Sequence, residues 1–242
     1  MTVRWFEQSL ADVPVMDDWL GPWELSHLSG LHVPKRRADW RLGRWTAKCA
    51  VADHLDLSHA VETLASIEIR PQTSGAPKVF LENVPADISI SLSHSAGIAA
   101  CALGAPGTIL GCDLELIEPR TDTFIADYFT PEEQLQIRNA SEADRCALVT
   151  LVWSAKESAL KALGTGLRTD TRCVSVTLYH ELLGTGISDE PGAINNLFPG
   201  VTVPSCTWRS LDVTYNTSRV FHGRWFCKDQ ILRTLICIPS TR

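Results

Sequence analysis

The chain has 242 residues, 45% of them apolar and 21% charged, which suits a soluble globular protein with one large core or two small ones. Its 22 Lys and Arg are outnumbered by 28 Asp and Glu, and the net charge of −6 argues against a dedicated nucleic-acid binder. The most apolar stretch, 96–112, is broken by Gly97, Gly104, Pro106 and Gly107, so no membrane span is expected.

The N-terminus, MTVRWFEQSLADVPV, has no basic segment followed by an apolar run, so no signal peptide is expected. Residues 1–30 read as irregular, with Trp5, Trp19 and Trp23 as packing anchors. A helix is predicted from about Pro34, and six of the 22 basic residues fall between 35 and 48. They are Lys35, Arg36, Arg37, Arg41, Arg44 and Lys48, with Asp39 against them. A solvated helix face explains such a run taken alone. In an acidic protein the concentration also marks a candidate polyanion site.

Residues 66–70 alternate as a strand, Gly75-Ala76-Pro77 marks a turn, and 78–81 returns as a second strand. Residues 87–103 read as two strands or one bent strand. Ser89, Ser91, Ser93 and Ser95 share one face there and His94 the other, a pattern read first as a solvated sheet edge. Gly104 to Thr108 is a short linker and the candidate boundary between domains 1–106 and 107–242. Beyond it ILGCDLELIE forms a strand that puts Asp113 and Glu115 on one face of an otherwise core-like run. Two like charges in such a place repel unless a cation lies between them, so they are candidate metal ligands; the alternative is an acidic stripe on a solvated face.

Thr130-Pro131-Glu132-Glu133 is a capping box with proline at the first helical position. Ser141 to Asp144 offers another start, leading into a long helix that stops at Gly164. On that helix Trp153, Glu157 and Lys161 follow at i, i+4 steps, with Leu148, Val152, Ala155, Ala159 and Ala162 opposite. After Arg168 the chain turns strand-rich in CVSVTLYH, CTWRSLDVTY and QILRTLICIP, around a loop at 184–204. The eight cysteines form no C-x-x-C pair and read as scattered buried thiols of a reducing cytosol. Trp45-Thr46-Ala47-Lys48 returns as Trp153-Ser154-Ala155-Lys156, an offset of 108 from 45 to 153, and short strands follow both copies. That repeat predicts an α+β fold of two similar subdomains.

Three motifs stand in order: Ser93-His94-Ser95, then G-x-D-x-E from Gly111 to Glu115, then W-x-x-K-E-x-x-x-K from Trp153 to Lys161. In combination they resemble the 4′-phosphopantetheinyl transferases of the larger, pseudo-dimeric kind that act on carrier proteins of polyketide, nonribosomal-peptide and fatty-acid synthesis. The resemblance covers roughly residues 35–168. It implies two subdomains, each a helix packed on a small antiparallel sheet, arranged as a pseudo-dimer with the active site in the cleft. It also implies a cytoplasmic monomer that moves phosphopantetheine from coenzyme A to a serine of an apo acyl or peptidyl carrier protein, leaving 3′,5′-ADP. By the same likeness Asp113, Glu115 and Glu157 hold Mg²⁺, Glu157 is the base and Lys161 stabilises phosphate oxygens. Ser93 and His94 contact the phosphates, and Arg44 with Arg37 or Lys35 meets the 3′-phosphate. Family members often carry a lysine where this chain has Ala76, and Lys78 is the candidate replacement. The competing expectation is another Mg²⁺-dependent enzyme that cleaves a nucleotide pyrophosphate without a carrier protein.

Overall fold

Two 21-residue helices, each laid across antiparallel strands, set the plan of the protein in the computed structural model, which describes residues 3–178 and 208–238. The N-terminal half contains β1 (Arg4–Ser9), α1 (Pro22–Ser29), α2 (Pro34–His54) and α3 (Val61–Ser66). Next come β2 (Ile67–Pro71), β3 (Pro77–Leu81), β4 (Val84–Pro85), β5 (Ser89–Ser95) and β6 (Ile98–Gly104). The strands make two antiparallel three-stranded sheets, ordered β1-β6-β5 and β2-β3-β4. The second half contains β7 (Ile109–Leu116), α4 (Asp122–Tyr128), α5 (Pro131–Asn139) and α6 (Glu142–Ala162), then β8 (Val174–Leu178), β9 (Arg209–Tyr215), β10 (Arg219–Lys228) and β11 (Ile231–Ile238). Its five strands form one antiparallel sheet ordered β7-β11-β10-β9-β8. The fold is α+β.

Residues 1–30 are more regular than their sequence indicated. Trp5 is buried in β1, opposite Ala102 of β6, and the strand exists because β6 supplies its hydrogen bonds. Helix α1 starts at Gly21 with Pro22 in its first turn, and the Glu24 carboxylate accepts the Gly21 N–H at 3.2 Å. Strand β10 and helix α4 were likewise not read from sequence. The expected loop at 184–204 lies outside the described residues. Residues 87–103, expected as two strands or one bent strand, are a hairpin turned by Ala96 and Gly97, both at positive φ as a tight two-residue turn requires.

The repeated Trp-x-x-Lys motif has a structural cause. Lys48 is fully buried on α2, paired with Glu24, and donates to the carbonyls of Trp19 and Leu64. Lys156 is fully buried on α6, pairs with Glu133 at 2.9 Å, and donates to the carbonyls of Thr171 and Val174. Each glutamate also serves the capping box of its own short helix and accepts a strand N–H, from Ile69 and Val176 respectively. Each ammonium thereby ties a long helix, a short helix and the start of a strand together. A buried charge is tolerated only when paired and hydrogen-bonded in this way.

One apolar core underlies each long helix, Trp19, Val51, Ile69 and Leu103 in the first and Phe129, Val152, Trp225 and Ile236 in the second. A third cluster, with Trp5, Ala102, Cys112, Phe226 and Leu235, joins the halves. Among the described residues Cys49, Cys101, Cys112, Cys146, Cys173 and Cys237 are free thiols. No helix among the described residues is long and apolar enough to cross a membrane.

Candidate active site

At the seam between the halves, β5 and β7 run side by side as edge strands of different sheets. Serine hydroxyls take the place of missing ladder acceptors. Ser91 Oγ accepts the Cys112 N–H at 3.0 Å and Ser93 Oγ accepts the Leu114 N–H at 3.1 Å. Both serines are buried, which corrects the reading of this face as a solvated sheet edge. The period of two was read correctly, but sequence could not show that a second sheet edge covers it. His94, on the opposite face, is exposed.

Ser93 also donates to Asp113 Oδ1 at 2.8 Å, so one hydroxyl joins the halves and orients the first acidic residue. Lys161 Nζ approaches the same oxygen at 2.7 Å, Ser93 Oγ at 3.2 Å and the Cys112 carbonyl at 3.1 Å. Lys161 can reach that far because α6 lies directly on β7. A Cβ added at Gly111 would stand 1.8 Å from the Ser158 carbonyl oxygen, so only glycine permits this contact. Ser154 and Ser158 fix the helix on its other flank through the Thr234 hydroxyl of β11. Helix α6 is therefore buried along most of its length, and Trp153 belongs to the interior rather than to an open face.

Glu115 and Glu157 complete the constellation. Trp153 Nε1 donates to Glu115 Oε1 at 3.1 Å, and Arg120 Nη2 donates to Glu115 Oε2 at 3.2 Å. The Glu157 carboxylate lies 3.9 Å from Lys161. Burial, reinforced by the charge of Asp113, pushes the Glu157 carboxyl up to about 7, while Lys161 opposes the rise. Burial and Asp113 raise Glu115 too, against Arg120. Burial acts to lower the Lys161 pKa, but Asp113 and Glu157 outweigh it and hold the ammonium protonated.

Among the described residues, no three His, Cys, Asp or Glu side chains are gathered closely enough to hold a metal ion as they stand. The donor set nevertheless fits a hard dication in chemistry. Asp113 is 2% exposed and its Oδ2 is buried without a hydrogen-bond partner, and its charge raises the pKa of both neighbouring glutamates.

The basic residues of α2 divide by role. Arg37 bonds Asp17 and the Leu28 carbonyl, and Arg41 bonds Asp17 and the Pro14 carbonyl, so both hold the N-terminal segment in place. Lys48 is the buried lysine described above, and Lys35 is exposed at the start of the helix. Arg44 remains over the Trp40 ring at 4.8 Å, with a buried Nε that lacks a hydrogen bond and Glu24 at 3.9 Å. Arg44, Trp40, Ser93 and His94 line a recess of about 230 Å³. The turn at Gly75 and Pro77 separates it from a cavity of about 610 Å³ between the halves, lined by Lys78, Lys161 and Arg168 among others. Arg168 donates to the Ser74 carbonyl at 2.5 Å, bringing a cation of the second half to the turn that contains Ala76. Neither Arg120 nor Arg168 was singled out in the sequence: Arg120 lies beyond the end of the G-x-D-x-E motif although it bonds Glu115, and Arg168 acts on Ser74, 94 residues away.

Residues 109–188 match the model of the 4′-phosphopantetheinyl transferase superfamily. The chain is also similar to 4′-phosphopantetheinyl transferase HetI of Nostoc sp., 24% identical over 146 residues. That alignment covers 60% of this chain and 59% of the relative, so the shared stretch is about three-fifths of the relative's length. The matched segment contains β7 and α6, the two elements that carry Asp113, Glu115, Glu157 and Lys161. Over that segment the chain is similar to the 4′-phosphopantetheinyl transferase superfamily.

Proposed function

We propose that the protein transfers 4′-phosphopantetheine from coenzyme A to a serine hydroxyl of an apo acyl or peptidyl carrier protein, releasing 3′,5′-ADP. One observation carries this reading. Lys161, which lines a cavity between the halves, pairs with Asp113 at 2.7 Å and lies 3.9 Å from Glu157, and Glu115 stands two residues beyond Asp113 on the same strand. Such a set suits a reaction in which negative charge develops on a pyrophosphate next to a hydroxyl that must lose its proton.

The serine oxygen attacks the β-phosphorus, and the bond to the bridging oxygen of the leaving 3′,5′-ADP breaks. Glu157 takes the serine proton, directly or through a water; in the metal-free site burial and Asp113 raise its carboxyl to about 7. Lys161 offsets charge on the phosphate oxygens and stays protonated because Asp113 and Glu157 flank it. Asp113, Glu115 and Glu157 would hold Mg²⁺, which supplies further neutralisation of the pyrophosphate when bound. Ser93 holds Asp113 in place rather than reaching for phosphate. Arg44 and His94 form the recess for the 3′-phosphate, with Lys35 near enough to act electrostatically on His94 and Lys78 on the cavity side of the turn. Arg37 is assigned to structure, since its guanidinium is already engaged.

The test follows 3′,5′-ADP release from coenzyme A with Mg²⁺. Release that requires an apo carrier protein and stops when its acceptor serine is replaced supports the reading. Equal release without a carrier would favour a pyrophosphate-cleaving enzyme instead.

A further inference from the structure

Arg120 lies in the segment between β7 and α4, five residues beyond Glu115, and no part of the proposed chemistry uses it. Its guanidinium bridges two carboxylates of unequal exposure. Nη2 is 3.2 Å from Glu115 Oε2, and Nη1 is 3.1 Å from Glu118 Oε1, with the Phe124 ring 5.3 Å away. Glu115 is largely covered, whereas Glu118 is half exposed. Trp153 takes the other oxygen of Glu115, so both of its oxygens are engaged. Asp113 Oδ1 is likewise taken by Lys161 and Ser93. The acidic cluster is thus balanced by two cations of this chain, Lys161 from one side and Arg120 from the other.

These cations differ in what they can do when a dication arrives. Lys161 is held by Asp113, Ser93 and a backbone carbonyl, and it faces the cavity. Arg120 has a second partner in the half-exposed Glu118, so it can release Glu115 and remain anchored. A guanidinium fork is suited to such sharing, because its donors lie in fixed, separate directions.

We infer that Arg120 is a resident counter-cation that competes with the divalent ion for Glu115 and withdraws onto Glu118 when the ion binds. The inference rests on the reading of Asp113, Glu115 and Glu157 as ligands. It makes Arg120 a positioning residue that sets metal affinity. Glu118, although outside the ligand set, then strengthens metal binding by offering Arg120 somewhere to go.

The test titrates the metal-free protein with Mn²⁺ and counts the free ion by electron paramagnetic resonance. Mn²⁺ accepts the same hard oxygen ligands as Mg²⁺. Arg120→Gln should bind Mn²⁺ about three- to tenfold more tightly than wild type, from the loss of a part-exposed ion pair and of a nearby positive charge. Arg120→Lys, which keeps the charge but loses the fork, should show part of that gain. Glu118→Gln should weaken binding about two- to threefold in the wild-type background and less when combined with Arg120→Gln. Unchanged or weaker binding by Arg120→Gln, while wild type binds, overturns the inference alone. Arg120→Lys binding as wild type while Arg120→Gln gains reduces the effect to net charge and overturns it too. No Mn²⁺ retention by wild type or any variant, or full retention by Asp113→Asn, removes the ligand assignment and the inference with it.

Discussion

Replacing Glu157 with Gln in the metal-free protein should stabilise it, and the gain should depend on pH. Burial first, then the charge of Asp113, move the Glu157 carboxyl from the ordinary 4.5 to about 7 in the folded state. Between those values the folded protein retains a proton that the unfolded chain releases. Wild-type stability therefore falls as pH rises through that window, and the neutral amide escapes the loss. The gap of about 2.5 pH units, at about 1.36 kcal/mol each, sets a ceiling of about 3 kcal/mol. Asp113 and Lys161 share the charge of the site, so a gain of about 1–3 kcal/mol is expected above pH 7. In a chain of this size that is a rise in Tm of about 2–10 °C. Differential scanning calorimetry in chelator at pH 4.5 and pH 8 measures it. A negligible difference at the lower pH and a rise at the higher one are expected. Equal differences at both pH values, or a loss at pH 8, would refute a largely covered, repelled carboxylate at 157. The same variant should lose turnover in Mg²⁺, because the proton acceptor is gone.

Other variants probe the frame and the ligand recess. Gly111→Ala places a methyl group against the Ser158 carbonyl, which must separate α6 from β7, and a loss above about 2 kcal/mol in a urea melt is expected. Lys156→Ala leaves Glu133 as a buried carboxylate without its cation and should cost about 3–5 kcal/mol; adding Glu133→Gln should restore part of that, whereas additive losses would contradict the pairing. Arg44→Ala should weaken coenzyme A tenfold or more while sparing 3′-dephospho-coenzyme A, in line with about 1.5–3 kcal/mol for a charge-assisted contact; equal weakening by calorimetry would place Arg44 elsewhere. Arg37→Ala should lower the melting temperature and leave the ratio of those two affinities unchanged, since Arg37 ties Asp17 to Leu28.

The elements with strong local signals were legible in the sequence. The capping box at Thr130 and Glu133, the helix from Pro34, the start at Ser141 and the stop at Gly164 all rest on interactions within a few residues. Strand β1 was missed because its partner lies far along the chain, Ala102 opposite Trp5. Strand β10 pairs with its near neighbour β11, and its run from Gly223 to Phe226 is buried on both faces and lacks a clean alternation. The Trp-x-x-Lys repeat was visible, but its meaning was not: both lysines are buried ties to Glu24 and Glu133, and no spacing rule links residues so far apart. In the site, the period of two placed Asp113 beside Glu115, and the period of 3.6 placed Glu157 beside Lys161. What brings the two pairs together is the absence of a side chain at Gly111. Composition counted Arg37 and Arg41 with Arg44, whereas the fold engages the first two in holding its own N-terminal segment.

The most direct measurement is the intact mass of an apo carrier protein after incubation with this protein, coenzyme A and Mg²⁺. The carrier should gain one phosphopantetheine unit on its acceptor serine, and the gain should vanish with Asp113→Asn. An unchanged carrier mass with correctly folded protein, or an undiminished gain with Asp113→Asn, would contradict the account.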